Sequence, residues 1–407
     1  MAKLSSSNGK KVNVPKLRFP EFTEEWEEIS FSNLFDFLPN NTVTRANLSN
    51  NGVIRNIHYG DVLIKFGSVL SIKSHDIPFI KNTDTVNNNV FLKNGDIVIV
   101  DTAEDETVGK VTEICDIDTE KVVSGLHTIP CRIKKNFAPK FLGYYMNSPA
   151  YHYQLFPLMQ GVKVLSISKS NIVGTVIHYP DILQQTKITN LLSLFDKKIS
   201  VQRQLVEALK KYKRGVIKSI FDTFTPVSKS SIGKMATMFS GGTPRSGVVQ
   251  YYNGSIPFIR SGEIHNDFTE LHLSRIGLDN SSAKMVRKGD LLYALYGATS
   301  GEVDISKIDG AINQAILCIR TNEISSEYLA LWLEINKNNI LSKMLQGGQG
   351  NLSGELVKSL VVPIYSKTEE QVIVRIGNSI NKLIDANTNM LYMLNKAKES
   401  LLQQMFI

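Results

Sequence analysis

Two stretches of this chain, about 185 residues apart, carry the same pattern of apolar side chains. Gln184 to Phe221 reads QQTKITNLLSLFDKKISVQRQLVEALKKYKRGVIKSIF, and Glu369 to Phe406 reads EEQVIVRIGNSINKLIDANTNMLYMLNKAKESLLQQMF. Laid end to end, Ile188 falls on Ile373, Leu191 on Ile376, Phe195 on Ile380 and Ile199 on Ile384. Further on, Leu205 falls on Met390, Leu209 on Leu394, Val216 on Leu401 and Phe221 on Phe406, with Gln202 on Asn387 at a polar position. Steps of three and four place these side chains on one stripe of an α-helix. Neither stretch contains proline, and each follows one (Pro180, Pro363) in an extended segment. A helix of roughly 37 residues is about 55 Å long. One greasy stripe of that length needs a partner, and the chain supplies a second helix with the same stripe.

The remainder repeats more weakly, with offsets up to about 202 residues. IRNIHYGDV (Ile54 to Val62) resembles IPFIRSGEI (Ile256 to Ile264). KNGDIVIVDTA (Lys93 to Ala103) resembles RKGDLLYALYGAT (Arg287 to Thr299), and FAPKFLGYYM (Phe137 to Met146) resembles ISSEYLALWL (Ile324 to Leu333). Ile, Val, Phe and Tyr punctuated by Gly-Asp, Asn-Gly and Gly-Gly read as short strands and turns. Tyr328 to Leu333 and its counterpart read as a short helix. Each half is therefore a mixed α/β domain followed by one long helix, an α+β chain with a pseudo-twofold internal repeat. Its boundaries read as a mobile tail over 1–16, a domain over 17–180, a helix over 181–225, a second domain over 226–363 and a second helix over 364–407.

Bulk properties narrow the partners. At 407 residues the chain is too long for one ordinary core. With 42% hydrophobic and 21% charged residues it reads as folded. No run approaches about twenty apolar residues, so no membrane span is expected. The opening MAKLSSSNGKKVNVPK has lysines but no apolar core and does not read as a secretory signal. Cys115, Cys131 and Cys318 are scattered and read as isolated thiols of a reducing cytoplasm. The net charge of +8 suits a polyanionic partner such as nucleic acid without requiring one.

No catalytic constellation emerges. Asn147-Ser148-Pro149-Ala150-Tyr151 lacks the second proline of a methyltransferase Asn-Pro-Pro-aromatic motif and reads as a helix end and turn. There is no Walker loop. Asp101, Glu104, Asp105 and Glu106 read as a solvated loop, and the seven histidines show no ligand spacing. No catalytic residue, metal ligand or cofactor of the chain's own is expected.

The order of these segments, given twice and spaced by the two helices, resembles the specificity subunit of a Type I restriction-modification system. The opening PKLRFPEFTEEWEEISFSNLFDF (Pro15 to Phe37), IPFIRSGEI, RKGDLLYALYGAT and AINQA (Ala311 to Ala315) resemble segments of such subunits. The resemblance implies two target-recognition domains joined by two long antiparallel, coiled-coil-like helices. It implies a bipartite, asymmetric double-stranded DNA site, with the helices setting the unread gap. Two adenine methyltransferase subunits would dock on the helices. Restriction and translocase subunits would bind outside that core. S-adenosylmethionine, ATP and Mg would belong to those partners. A recognition subunit of another multi-subunit methyltransferase-nuclease fits the same pattern. So does a protein scaffold that reads no DNA.

Base readout needs Arg for G, Asn or Gln for A and acids for C, and phosphates take Lys, Arg, Ser, Thr and backbone amides. In the second half the candidates are Gly242, Thr243 and Arg245 of SGGTPR; Arg260, Ser261 and Glu263; Tyr296 and Thr299; Asn313 and Gln314; and Gln349, Asn351 and Ser353 of QGGQGNLS. The glycines of SGGTPR are read as letting the backbone approach a phosphate. In the first half they are His58, Tyr59 and Asp61, placed opposite Arg260, Ser261 and Glu263; Thr102; His127, placed opposite Gln314; Lys163, Ser166 and Ser168; and Asn88 of an Asn-Asn-Asn run. On the first helix, eight basic residues face three acidic ones from Asp196 to Asp222. The plain reading is a solvated face. The sharper one has Lys210, Lys211, Lys213 and Arg214 facing DNA or an acidic partner.

Overall fold

The computed structural model describes residues 13–86, 90–346 and 352–407. The chain forms two compact units. Unit 1 takes the residues up to Gln202 together with Met390–Ile407, and unit 2 takes Arg203–Asn389. Two long helices pass from one unit into the other: α1, Ile182–Thr223 (42 residues), and α2, Lys367–Gln404 (38 residues). Unit 1 thus holds the start of α1 and the end of α2, and unit 2 holds the reverse.

In unit 1, a five-stranded sheet runs in the order Phe35–Phe37, Thr128–Ile133, Ile97–Val100, Val111–Cys115, Val69–Ser71. A four-stranded sheet beside it has Ile54–Ile57 parallel to Lys121–Ser124. The run Ile-Val-Ile-Val at 97–100 is buried at every position, as an apolar run covered on both faces should be. Unit 2 repeats the plan. A four-stranded sheet orders Ala236–Ser240, Ile316–Thr321, Leu291–Ala294 and Val303–Ile305, and Phe258–Ile259 pairs in parallel with Ala311–Ile312. Each unit also zips its first strand to its last, Glu27–Ser30 to Val176–Tyr179 and Ser228–Ser231 to Val361–Ile364. A domain closed this way begins and ends at one place, and the long helix leaves from there.

The repeat extends to single polar groups. Gly95 and Gly289 both sit at positive φ (87° and 94°), where a side chain would be strained. The next residue, Asp96 or Asp290, accepts from the backbone N–H of Lys93 or Arg287 and is gripped by two nitrogens of Arg132 or Arg320. At the head of each long helix, Gln185 accepts from Ala138 N–H (2.9 Å) where Glu370 accepts from Ser325 N–H (2.7 Å).

The helix stripe works at its ends. Ile188 and Leu192 join the unit 1 core with Met405 and Phe406, and Ile373 joins the unit 2 core with Phe221 packed on it. Inside unit 1 the two helices run in opposite senses. Asp196 pairs with Lys398 (2.5 Å), while Leu191, nearer the start of α1, shares the core with Leu401 and Leu402, nearer the end of α2. The expected stripe does not hold throughout. Leu205 and Met390 are 43% and 54% exposed, and Val206 is buried instead. The expected short helix at Tyr328 to Leu333 is a 21-residue helix, Ser326–Gln346. Its counterpart breaks into Phe141–Met146 and Pro149–His152 because Pro149 cannot continue a preceding turn.

Phe406 packs against Trp26, Phe141 and Tyr145, with ring centroids 5.7 to 6.2 Å apart. Phe406→Ala is expected to cost unit 1 about 3–5 kcal/mol. The chain's two tryptophans report the units separately, Trp26 in unit 1 and Trp332 in unit 2. In a denaturant titration the Trp26 transition of the Phe406→Ala variant should move to lower midpoint, and equal movement of the Trp332 transition would contradict the assignment.

Candidate nucleic-acid interface

In each unit, the backbone of one residue ties three candidate segments together. In unit 1, Asp101 N–H donates to His127 O (3.2 Å), and Asp101 O accepts from Ile167 N–H (2.9 Å). In unit 2, Leu295 N–H donates to Ala315 O (2.8 Å), and Leu295 O accepts from Leu352 N–H (3.0 Å). These junctions fix the register between the halves. His127 is equivalent to Ala315, and Gln314 is equivalent to Leu126. The sequence pairing of His127 with Gln314 is therefore one residue out. The placement of His58, Tyr59 and Asp61 opposite Arg260, Ser261 and Glu263 agrees with the parallel strand pairs that lead into them.

In unit 1 the strand Ile54–Ile57 delivers His58, whose Nδ1 accepts from Gly60 N–H (3.2 Å) and caps the helix Tyr59–Ile64. Accepting there requires an unprotonated nitrogen. Burial, then the Arg45 charge, holds the His58 pKa below its usual value and keeps it so. The rings of His58 and Tyr59 lie 4.6 Å apart, and Tyr59 meets His127 edge-on at 5.2 Å. His127 stands at φ 55°, a left-handed conformation that costs a side-chain-bearing residue energy. Its Nδ1 lies 3.3 Å from Asp101, which also accepts from the Thr102 hydroxyl (2.8 Å). Thr102 pairs in register with Ser166 on a hairpin that carries the exposed Lys163. Gly125 makes the sharp approach possible, because a Cβ there would lie 2.6 Å from Asn56. The structure thus brings His58, Tyr59, Asp61, Thr102, His127 and Ser166 into one neighbourhood.

Asp61 is not a free acceptor. Its side chain is 1% exposed and takes two bonds from Arg45, at 2.7 and 2.8 Å, with Lys65 at 3.3 Å. Burial alone would raise its pKa; the Arg45 hydrogen bonds and the two cations outweigh that and hold it below the usual carboxylate range. Sequence reasoning passed over Arg45, since nothing in the second half matches it and its carboxylate lies 16 residues away. It also placed Asp101 in a solvated acidic loop, whereas Asp101 anchors His127 and Thr102. Ser168 accepts from Asn171 N–H as a helix cap. Asn88 lies outside the described residues.

In unit 2, Thr243 donates to Gln314 (2.6 Å), joining SGGTPR to the Asn313-Gln314 turn. The glycines of that segment serve the protein's own packing, not a phosphate. Gly242 is buried, a Cβ on it would sit 2.6 Å from Ser282, and one on Gly241 would sit 1.8 Å from Ile312 O. Arg245 is exposed. Arg260 is bound through Nε and Nη2 to Glu263 and through Nη2 to Glu270. Glu263 is buried and, like Asp61, is held low by its arginine against the opposing effect of burial. Ser261 and Glu263 form the turn after that arginine, and Tyr296 and Thr299 form the next. Asn313 accepts from Ala315 N–H (3.1 Å). Ser353 caps the helix Gly354–Ser359 by accepting from Leu356 N–H. Gln349 and Asn351 lie outside the described residues. Of the basic residues on α1, Lys213 is buried against Glu334 and is not available to a partner, and Lys210 pairs with Glu207. Among the described residues no group of His, Cys, Asp or Glu could hold a metal ion, and no helix is long and apolar enough to cross a membrane.

Residues 226–394 match the family model of the Type I restriction modification DNA specificity domain. Over those residues the chain is similar to the Type I DNA specificity domain. Its first half lies outside that match, but the whole chain is similar to a relative. A putative type I restriction enzyme MjaX specificity subunit of Methanocaldococcus jannaschii is 22% identical, over 97% of this chain and 95% of the relative. Among solved structures, a Type I restriction-modification S subunit from M. genitalium shares the fold, with a TM-score of 0.56 at 15% identity over 97% of this chain and 99% of that one. A chain from a structure on complex assembly and conformational transition of the type I R-M system gives a TM-score of 0.53 at 17% identity, over 94% and 97%. The fold expected from the sequence is the fold these S-subunit structures share.

His127→Gly removes the ring while glycine accepts the backbone at φ 55° without strain. Its stability should stay within about 1 kcal/mol of wild type, leaving the thermal midpoint little changed, whereas His127→Val should lower the midpoint, since a β-branched residue at positive φ is an outlier. Equal midpoints for the two variants would contradict the backbone assignment.

Proposed function

We propose that this chain is the non-catalytic, sequence-reading subunit of a Type I restriction-modification complex in the bacterial cytoplasm. It binds an asymmetric, bipartite double-stranded DNA site, with each unit reading one half-site. The observation that carries this reading is one scaffold displaying two chemistries. At equivalent positions of the junction, unit 1 presents His58, Tyr59, Thr102 and His127, where unit 2 presents Arg260, Ser261, Tyr296 and Ala315. Structural polar groups stay the same between the halves, Asp96 with Arg132 and Asp290 with Arg320, while the residues at the junction change, among them the partly exposed Tyr59, Thr102 and His127 against Ser261, Tyr296 and the buried Ala315. That division suits a pair of readers whose target bases differ.

Two adenine methyltransferase subunits dock on the long helices in this reading. The helices expose Leu194, Val201, Leu205 and Tyr212 on α1 and Leu383, Met390, Tyr392 and Met393 on α2, apolar side chains that a partner would cover. Restriction and translocase subunits join outside that core. S-adenosylmethionine, ATP and Mg serve the partners' chemistry, and this chain holds none of them.

Co-expression with the adenine methyltransferase subunit of the same system, followed by single-base mapping of N6-methyladenine in host DNA, tests the reading. One asymmetric bipartite motif that depends on this chain is expected. Exchange of residues 226–347 for those of a differently specific relative should change one half-site and leave the other. Co-purification of the two proteins without any motif would support a scaffold that reads no DNA.

A further inference from the structure

The two units hold an arginine against an equivalent buried acid, but they hold it by different edges of the guanidinium. In unit 2 the Arg260 guanidinium gives Nε and Nη2 to Glu263 and a second Nη2 hydrogen to Glu270, so its side fork is closed. In unit 1 the acid is Asp61, and the arginine comes from elsewhere in the chain, Arg45 in the turn before Leu48. Arg45 gives Nη1 and Nη2, the end of the guanidinium, to the two Asp61 oxygens. Five donors in a rigid fork leave the Nε side intact after two are used. The Arg45 side chain is 51% exposed beside Tyr59 and His58, within the neighbourhood that also holds His127 and Thr102.

We infer that Arg45 contacts the DNA duplex of the first half-site, donating its Nε-side fork to a two-acceptor edge, with Asp61 as the positioning carboxylate. This rests on the reading of the chain as a DNA-reading subunit. The edge is either guanine O6 and N7 in the major groove or a pair of phosphate oxygens, which offer the same planar acceptor spacing. The arrangement fits that task for a physical reason. Asp61 is almost fully covered and held ionised by its cations, so it fixes the plane of a guanidinium that would otherwise sample many rotamers. The other paired arginines are spent differently. Arg132 closes on Asp96 and on Phe91 O, and Arg320 closes on the Asp290 turn. Arg55 donates to Ile72 O and lies over the ring of Phe79.

The test uses the full chain assembled with its methyltransferase subunit, as wild type and as Arg45→Ala, Arg45→Lys and Asp61→Asn. The readouts are the methylated motif and the salt dependence of binding to a duplex that carries it. If the edge is guanine, Arg45→Ala and Arg45→Lys both relax one guanine position of one half-site by about 5- to 150-fold and leave the other half-site unchanged. Asp61→Asn relaxes the same position by less, a readout that a merely structural role would not move. If the edge is phosphate, the motif is kept. Arg45→Ala then weakens binding to all sequences and lowers the salt slope by about one, while Arg45→Lys retains the slope. Arg45→Gln replaces Arg45→Ala should the alanine variant fail to assemble. Wild-type motif, affinity and slope in the neutral variant would overturn the inference alone. A wild-type complex that produces no motif would remove the underlying reading and this inference with it.

Discussion

The contact on which the rest depends is the packing of a phenylalanine at the end of each long helix against a cluster of aromatic rings. Phe221 lies against Tyr328 and Tyr365 in unit 2, and Phe406 lies against Trp26, Phe141 and Tyr145 in unit 1. Each aromatic group belongs to the domain core that the helix has to join. The second of these contacts is what brings the last residues of the chain into unit 1, where Leu17 N–H also donates to Gln404 O (2.9 Å). The last turn of α2 thereby joins the core of the unit in which the chain begins. Closing a loop this long costs little more entropy than closing a short one, so a modest aromatic core suffices to hold it.

On that frame, the groups that hold the fold together recur and the side chains around the junction differ. The Gly-Asp turns with their arginine clamps, the zipped first and last strands and the capped helix heads recur in both units with matching partners. The backbone junction at Asp101 or Leu295 recurs as well, because only backbone atoms make its bonds. A junction built from backbone leaves the side chains around it free to differ without loss of the fold. Loops held by a rigid scaffold are where binding residues are generally found.

Much of this was legible in the sequence because it is periodic or local. The helix stripes, the apolar run at Ile97–Val100 and the repeated Gly-Asp turns are all short-range signals. What escaped is long-range. Arg45, in the turn before Leu48, is joined to Asp61 in the helix Tyr59–Ile64, and no spacing rule links them. Leu205 and Met390 match each other in register and still face outward, since the aligned stripe is only partly the stripe that packs. The pairing of His127 with Gln314 slipped by one because AINQA and SGLHT share no side chain that fixes the alignment, whereas the backbone bonds from Asp101 and Leu295 do. Gly242 was read as an open approach to a phosphate, but the space beside it is filled by Ser282.

The central claim is that two separately folded units each read their own bases. It is tested most directly by binding of the assembled methyltransferase complex to four duplexes at one salt concentration. These carry both half-sites, only the first, only the second, or neither. The account predicts that loss of either half-site weakens binding and that the two losses add in free energy to within about 0.5 kcal/mol. Affinity that is unchanged when one half-site is scrambled would contradict it.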